Sequence, residues 1–183
     1  LREAWGETQE KPLFHQLKQY AGPNDAADFW CDDDVIMRFV RHPERYMAEH
    51  RKRPCVFSLD LSSFQEFRLP LIRYNILRNR LFTQELQNNG VNAIPAIQWR
   101  DRKSFQFCFL GIPKGSVIAF STTGVLTNNV SVKLWKEGVS DALKVIEPEV
   151  VFIHGDPIDF DFGTIDVFHL DNENVRRVRK HGR

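Results

Sequence analysis

The sequence predicts an α/β fold: a single domain with a mostly parallel sheet and flanking helices, built either as an open three-layer sandwich or as a partial (β/α) barrel. Three observations predict it. Short apolar runs alternate with amphipathic stretches four or five times, the pattern of parallel strands joined by helical crossovers. One run, "GSVIAFS" (115–121), is almost continuously apolar, as a strand covered on both faces must be. The length, 183 residues, suits one domain that buries a core without disulfides or metals.

The elements follow in order. Residues 1–26 read as an N-terminal arm with a short helix, "PLFHQLKQYA", ended by the Gly-Pro turn of "GPND". "ADFWC" is a first strand, and the three aspartates behind it open a helix, "DDVIMRFV", at the end where the macrodipole favours acidic groups. Pro43 fits the first turn of a second helical piece, "HPERYMAEH". "CVFSLDLS" is the second strand. From Leu69 the apolar positions Ile72, Leu77, Leu81 and Leu86, widened by Ile76 and Phe82, keep helical spacing up to the stop at Asn88-Asn89-Gly90; they are expected to form the buried stripe. "VNAIPAIQW" is a third strand in which Pro95 demands an edge, a bulge or an unpartnered backbone position. "DRKSFQFCFLG" is a short helix or turn, "GSVIAFS" the fourth strand, and a helix runs from about Val130 to Ile146 before Pro148. "EVVFIHG" is the fifth strand. "TIDVFHL" follows after a connection too short for a crossover helix, so antiparallel pairing is expected. The domain spans 27–174, and 175–183, within "NVRRVRKHGR", is a basic C-terminal tail.

Composition narrows the function classes. Hydrophobic residues at 42% and charged residues at 27% describe a globular chain, and no apolar run approaches the ~18 residues of a membrane span. No charged-then-apolar leader is present, and Cys31, Cys55 and Cys108 lie singly among apolar neighbours; buried thiols in a reducing, cytoplasmic setting are expected. A net charge of +1 excludes a globally basic nucleic-acid binder. It leaves room for local basic segments, "RHPERYMAEHRKR" and "RRVRKHGR", opposite acidic "CDDD" and "GDPIDFDFGTID".

In either architecture ligands bind where the carboxyl ends of parallel strands gather. The residues there are Asp32 and Asp33, Asp60 and Ser62, Gln98, Trp99 and Asp101, Ser121, Thr122 and Thr123, and His154 and Asp156. Asp60, Trp99, Ser121 and His154 are therefore expected on one rim. Carboxylates meeting there suit a hard cation, Mg²⁺ or Mn²⁺, held by Asp32, Asp60 and Asp156; the competing account has them capping helices and ending strands. Asp60 and His154 are the candidate catalytic residues; alternatively, close carboxylates raise one another's pKa and divide acid and base roles. Ser121 and Thr122 of "STTG" offer hydroxyls to an anion at the amino end of the following helix, or serve as ordinary loop and cap residues. Arg78 and Asn75 lie within a turn of one another on the long helix, and Trp99 offers a face for a base. Lys114 in "GIPKGS" precedes its strand, so no Walker loop is present and this lysine belongs to the opposite rim.

The segments "FWCDDDVIMRFVRHPERY", "SLDLS", "LPLIRYNILRNRL", "IPAIQW", "SFQFCFLGIPKGSVIAFSTTGV" and "IHGD" together resemble a bacterial and phage family catalogued as domain of unknown function forty-four seventeen, over residues 27 to 156. The resemblance implies recurring polar positions at Asp32, Asp60, Ser62, Asn75, Arg78, Arg80, Trp99, Lys114, Ser121, Thr122 and Gly155. Leu110 and His154 depart from the pattern, which has an acidic and an aromatic residue there. Phage and mobile-element membership implies a role connected with nucleic acid or with a host. Two functions are thus expected to compete: binding of a phosphate-bearing ligand, nucleotide or nucleic acid, with metal-assisted phosphoryl hydrolysis as the reaction class; or non-catalytic binding of a host protein.

Overall fold

A computed structural model describes residues 27–30 and 33–170; the expected N-terminal arm and basic tail lie outside them. The elements are β1 (Ala27–Phe29), α1 (Asp33–Arg41), α2 (Glu44–His50), β2 (Val56–Leu59), α3 (Leu69–Asn88), β3 (Ala93–Ile94), α4 (Phe105–Cys108), β4 (Val117–Ser121), a 3₁₀ turn (Val125–Thr127), α5 (Asn129–Ile146), β5 (Val150–His154) and β6 (Asp166–Leu170). Every ladder is parallel. The strands pair as β1-β2-β3 and β4-β5-β6, and the bridge Ala96↔Ala119 joins the two sets.

Sheet order therefore equals chain order, with no reversal. A doubly wound sandwich needs a reversal to put helices on both faces; a run without one, with right-handed crossovers, puts them all on one side. The sheet curls accordingly. Phe57 on β2 and Phe152 on β5 have ring centroids 5.2 Å apart, whereas in a flat sheet three strand spacings would separate them by about 14 Å. Of the two arrangements the sequence allowed, this is the partial barrel, and among the described residues β1 and β6 form no closing ladder.

The alternation of each strand fills both sides of this arc. Phe57, Ile94, Val117, Ala119, Val150 and Phe152 point into the concave side, with Trp30, Phe168 and Leu170 packed on them. Ile118, Phe120, Val151 and Ile153 point outward onto Ile72 and Ile76 of α3 and Trp135, Val139 and Ala142 of α5. A bulge in β2 breaks the period of two: Ala27 and Phe29 pair with Val56 and Leu59, so both of the latter face outward. The bulge leaves Ser58 fully buried, and its hydroxyl accepts the Ala96 N–H at 3.2 Å. Pro95 is not at an edge. It sits in the middle of the sheet where its carbonyl accepts from Ala119 N at 3.0 Å, and its missing N–H ends the β2–β3 ladder after two residues.

Two sequence expectations are corrected. β6 runs parallel to β5, not antiparallel. The crossover is made without a helix because residues 155–165 lay Ile158, Phe160, Phe162 and Ile165 on the outer core, covering the face a helix would cover. On α3, Leu77 and Leu81 do not join the buried stripe: they are 53% and 60% exposed, while Asn75, Asn79 and Thr83 are buried beside Ile72, Ile76, Phe82 and Leu86. The inner face of α3 meets peptide groups at the end of β2, and amides satisfy those where leucines would not.

Cys55 and Cys108 are buried free thiols. Burial pushes them up to about 12 and about 11, so both stay protonated and inert as expected. Cys31 lies outside the described residues. Lys114 stands in the turn before β4, paired with Glu147 at the rim away from the strand ends.

Candidate functional site

With all strands parallel, Asp60 follows β2, Trp99 comes after β3, and Ser121 and His154 end β4 and β5, all at the carboxyl end of the sheet. Trp30, directly after β1, reaches across the concave side and stacks on His154, with centroids 4.2 Å apart and rings 5° from parallel. Below this stack lies the Phe57–Phe152 pair. His154 is thus a buried residue, 6% exposed, and its Nδ1 lies 3.5 Å from Ser121 Oγ.

The other side of the mouth is built at the end of β2. Asp33 opens α1, where the helix dipole favours a carboxylate, and its Oδ1 accepts from Ser62 N at 3.1 Å and Ser62 Oγ at 3.0 Å. Asp60 lies close enough to feel it: burial, and then the Asp33 charge, push the Asp60 carboxyl up to about 7. Among the described residues no donor reaches the Asp60 carboxyl, and no Lys, Arg or His pairs with Asp60 or Asp33. From α3, the Asn75 amide donates to Ser62 O at 2.8 Å. Asn79, 1% exposed, accepts the Leu61 N–H at 3.4 Å while its Nδ2 finds no acceptor among the described residues. A buried amide donor without a partner costs about 1–3 kcal/mol, here one residue from a carboxyl that titrates near neutrality.

The remaining sequence candidates are placed as follows. Thr122 is a brace: its hydroxyl lies 2.8 Å from Asp156 O and 3.2 Å from His154 O and shares its one proton between the two carbonyls, tying the loops after β4 and β5 together. Gly155 passes so close that a Cβ there would sit 2.5 Å from Thr122 Oγ1, at a φ of +103°. Gly155→Ala is expected to cost about 1–3 kcal/mol from strain at that φ, read as a lowered melting temperature; an unchanged melt would show the loop free to shift. The "STTG" loop does not open the next helix. A 3₁₀ turn intervenes, and the Asn128 side chain caps α5 by accepting from Ser131 N at 2.8 Å. The Trp99 ring is turned outward against Gly138 of α5 and among Phe105, Phe109 and Phe120, because Gly138 leaves a slot on the helix. Arg78 donates to Met37 Sδ and lies 5.2 Å over the Tyr74 ring. Asp156 is exposed, and Asp32 lies outside the described residues.

Among the described residues no group of three or more His, Cys, Asp or Glu is set to hold a metal ion, and no helix is long and apolar enough to cross a membrane. Sequence reasoning placed Asp33 on the rim but did not pair it with Asp60, and it missed Asn79 and Trp30. The signal for Asn79 was present: Asn75, Asn79 and Thr83 recur every fourth residue, a polar stripe that a helix presents on one face.

An incomplete parallel α/β barrel with a polar mouth at its strand ends defines the class of protein. Residues 12–171 match the family described as "Domain of unknown function (DUF4417)", and the chain belongs to it. It is similar to two curated phage proteins, each called "Gene 1 protein": 25% identical over 165 residues to that of Mycobacterium phage L5, and 25% identical over 139 residues to that of Mycobacterium phage D29. These alignments cover 90% and 75% of this chain but 68% and 52% of the relatives. No solved structure matches.

Proposed function

We propose that the strand-end mouth binds a phosphate-bearing ligand, a nucleotide or nucleic-acid strand, together with Mg²⁺ or Mn²⁺. One observation carries the reading: Asp60 feels the charge of Asp33 from a different element, and among the described residues no cationic side chain pairs with either. Such a pair needs a proton or a cation. Mg²⁺ suits it because that ion is commonly held by one or two carboxylates plus substrate phosphates rather than by a complete protein cage, so the donor set present fits. The ion would supply charge neutralisation at the phosphate. Without the ion, burial and the Asp33 charge hold the Asp60 carboxyl up near 7, and a cation bound there would release that proton and keep the carboxylate charged; Ser121 and His154 end β4 and β5 on the same rim, with Ser121 Oγ 3.5 Å from His154 Nδ1. Phosphoryl-bond hydrolysis is the reaction class this arrangement favours.

Thermal melts of the wild-type protein with Mg²⁺ or Mn²⁺, each with and without a mixture of ribonucleoside triphosphates, test the reading. Stabilisation that requires both ion and nucleotide, and vanishes in Asp60→Asn, is the expected result; a ligand at a hundredfold excess over its Kd adds about 2.7 kcal/mol. No response to any combination, followed by none to a short single-stranded oligonucleotide, would overturn it.

A further inference from the structure

The leucines that α3 leaves outside lead to a cavity at the opposite rim. Tyr74, Leu77 and Leu81 are 55%, 53% and 60% exposed, and their spacing places them along one side of the helix. Leu81 then forms part of a cavity of about 220 Å³ walled by Arg80, Gln87, Pro95, Ile112 and Pro113. Leu110, 63% exposed, stands beside it, since its carbonyl accepts from Arg80 Nε.

Among the described residues Arg80 pairs with no carboxylate. Its guanidinium donates to the carbonyls of Leu110, Ala96 and Cys108 at 3.4, 3.1 and 2.8 Å, using three of its five N–H bonds. Burial pulls it down to about 10, which measures how poorly the cation is compensated. Gln87 fixes the far wall: its Nε2 donates to Ala93 O at 3.0 Å.

From this geometry we infer that the cavity and the Tyr74–Leu77–Leu81 stripe form a docking site for a peptide segment of another protein that carries a carboxylate among apolar side chains. The carboxylate meets Arg80 at the cavity wall, and apolar side chains lie on the exposed Leu77, Leu81 and Leu110. Charge complementarity selects this occupant: α3 carries Arg73, Arg78 and Arg80 against the single acidic Glu85. Size agrees. The cavity is smaller than the ~300–1,000 Å³ of small-molecule sites, so it takes an anchor group while the rest of the segment lies on the stripe. This site is independent of the strand-end mouth and stands or falls without it.

The test is selection from a phage-displayed library of random dodecapeptides against the full chain, followed by calorimetry with one enriched peptide made synthetically. Enriched peptides should carry Asp or Glu flanked by Leu, Ile or Phe. Because Leu77 and Leu81 are exposed, Leu77→Ser and Leu81→Ser should keep the wild-type melting temperature and weaken the synthetic peptide about tenfold or more, the scale of an interface anchor. Leu81→Glu should weaken it further than Leu81→Lys, while Asp60→Asn should leave it unchanged. Three results would each overturn the inference: enrichment without acidic residues, binding indifferent to the serine variants, or a wild-type dimer that these variants dissociate, which would assign the stripe to a second copy of the chain.

Discussion

Asp60→Asn is expected to make the protein more stable at pH 8 and to change little at pH 4. In the unfolded chain Asp60 titrates near 3.9, and in the folded protein burial and the Asp33 charge raise it to about 7. Between these values the folded state holds a proton that the unfolded state has released, so wild-type stability falls as pH rises, by up to about 1.4 kcal/mol per pH unit. Below the unfolded value both states are protonated and nothing is lost; above pH 7 the full penalty, about 4 kcal/mol at its upper limit, is in place. Asparagine carries no charge and escapes it. For a chain of this size each kcal/mol moves the melting temperature by about 2–4 °C, so melts of both proteins at pH 4 and pH 8 should nearly coincide at the lower pH and diverge by several degrees at the higher. A variant less stable at both pH values would show instead that Asp60 is a structural acceptor, and would remove the ground for placing a cation beside it.

Gly138→Ala should cost up to about 2 kcal/mol net, against the usual sense of that change in a helix. Alanine is favoured over glycine inside a helix by about 1 kcal/mol. Here, though, a Cβ would lie 2.2 Å from Trp99 Cε2 and 2.4 Å from Cζ2, and Phe105, Phe109 and Phe120, centroids 6.0, 6.3 and 5.7 Å away, stand edge-on around the ring. Forcing extra volume into such packing costs about 1–3 kcal/mol and occasionally more. Trp99→Phe in the same chain should recover much of the loss, and urea unfolding of the two single variants and the double variant reads the coupling. Equal and additive losses would mean that the ring and the helix do not bear on one another.

How far sequence reading reached depends on what each inference needed. Asp60, Ser121 and His154 were legible because a residue just after a parallel strand is placed by strand direction alone. Trp99 sits on the same rim for the same reason, yet its ring faces the helix, since orientation depended on Gly138, more than thirty residues on and meaningful only once α5 is docked. The face of α3 was ambiguous: Ile72, Ile76, Leu77, Leu81, Phe82 and Leu86 surround the helix widely enough that apolar spacing does not choose a side. Its polar stripe chose, because the peptide groups of Leu61 and Ser62 require amide partners. β6 was misdirected by a rule of thumb about crossover helices; Phe160 and Phe162 in an extended segment do the same covering. The bulge at Ser58 had no local mark at all, since "VFSLD" reads as an ordinary strand.

The Trp30–His154 stack has a kinetic consequence. Each strand of this sheet pairs in parallel with its neighbour in the chain across an intervening crossover, pairing that is slower than purely local contacts but needs no more than one crossover at a time. The stack instead joins β1 to β5, and it is expected to form late, once the intervening units are in place and curved. Contacts made after the rate-limiting step leave the folding rate nearly untouched and act on the rate of unfolding. The tryptophan across the mouth thus works as a latch on an arc that no closing ladder secures: it sets how long the curved state survives once made, with little influence on how fast it is reached.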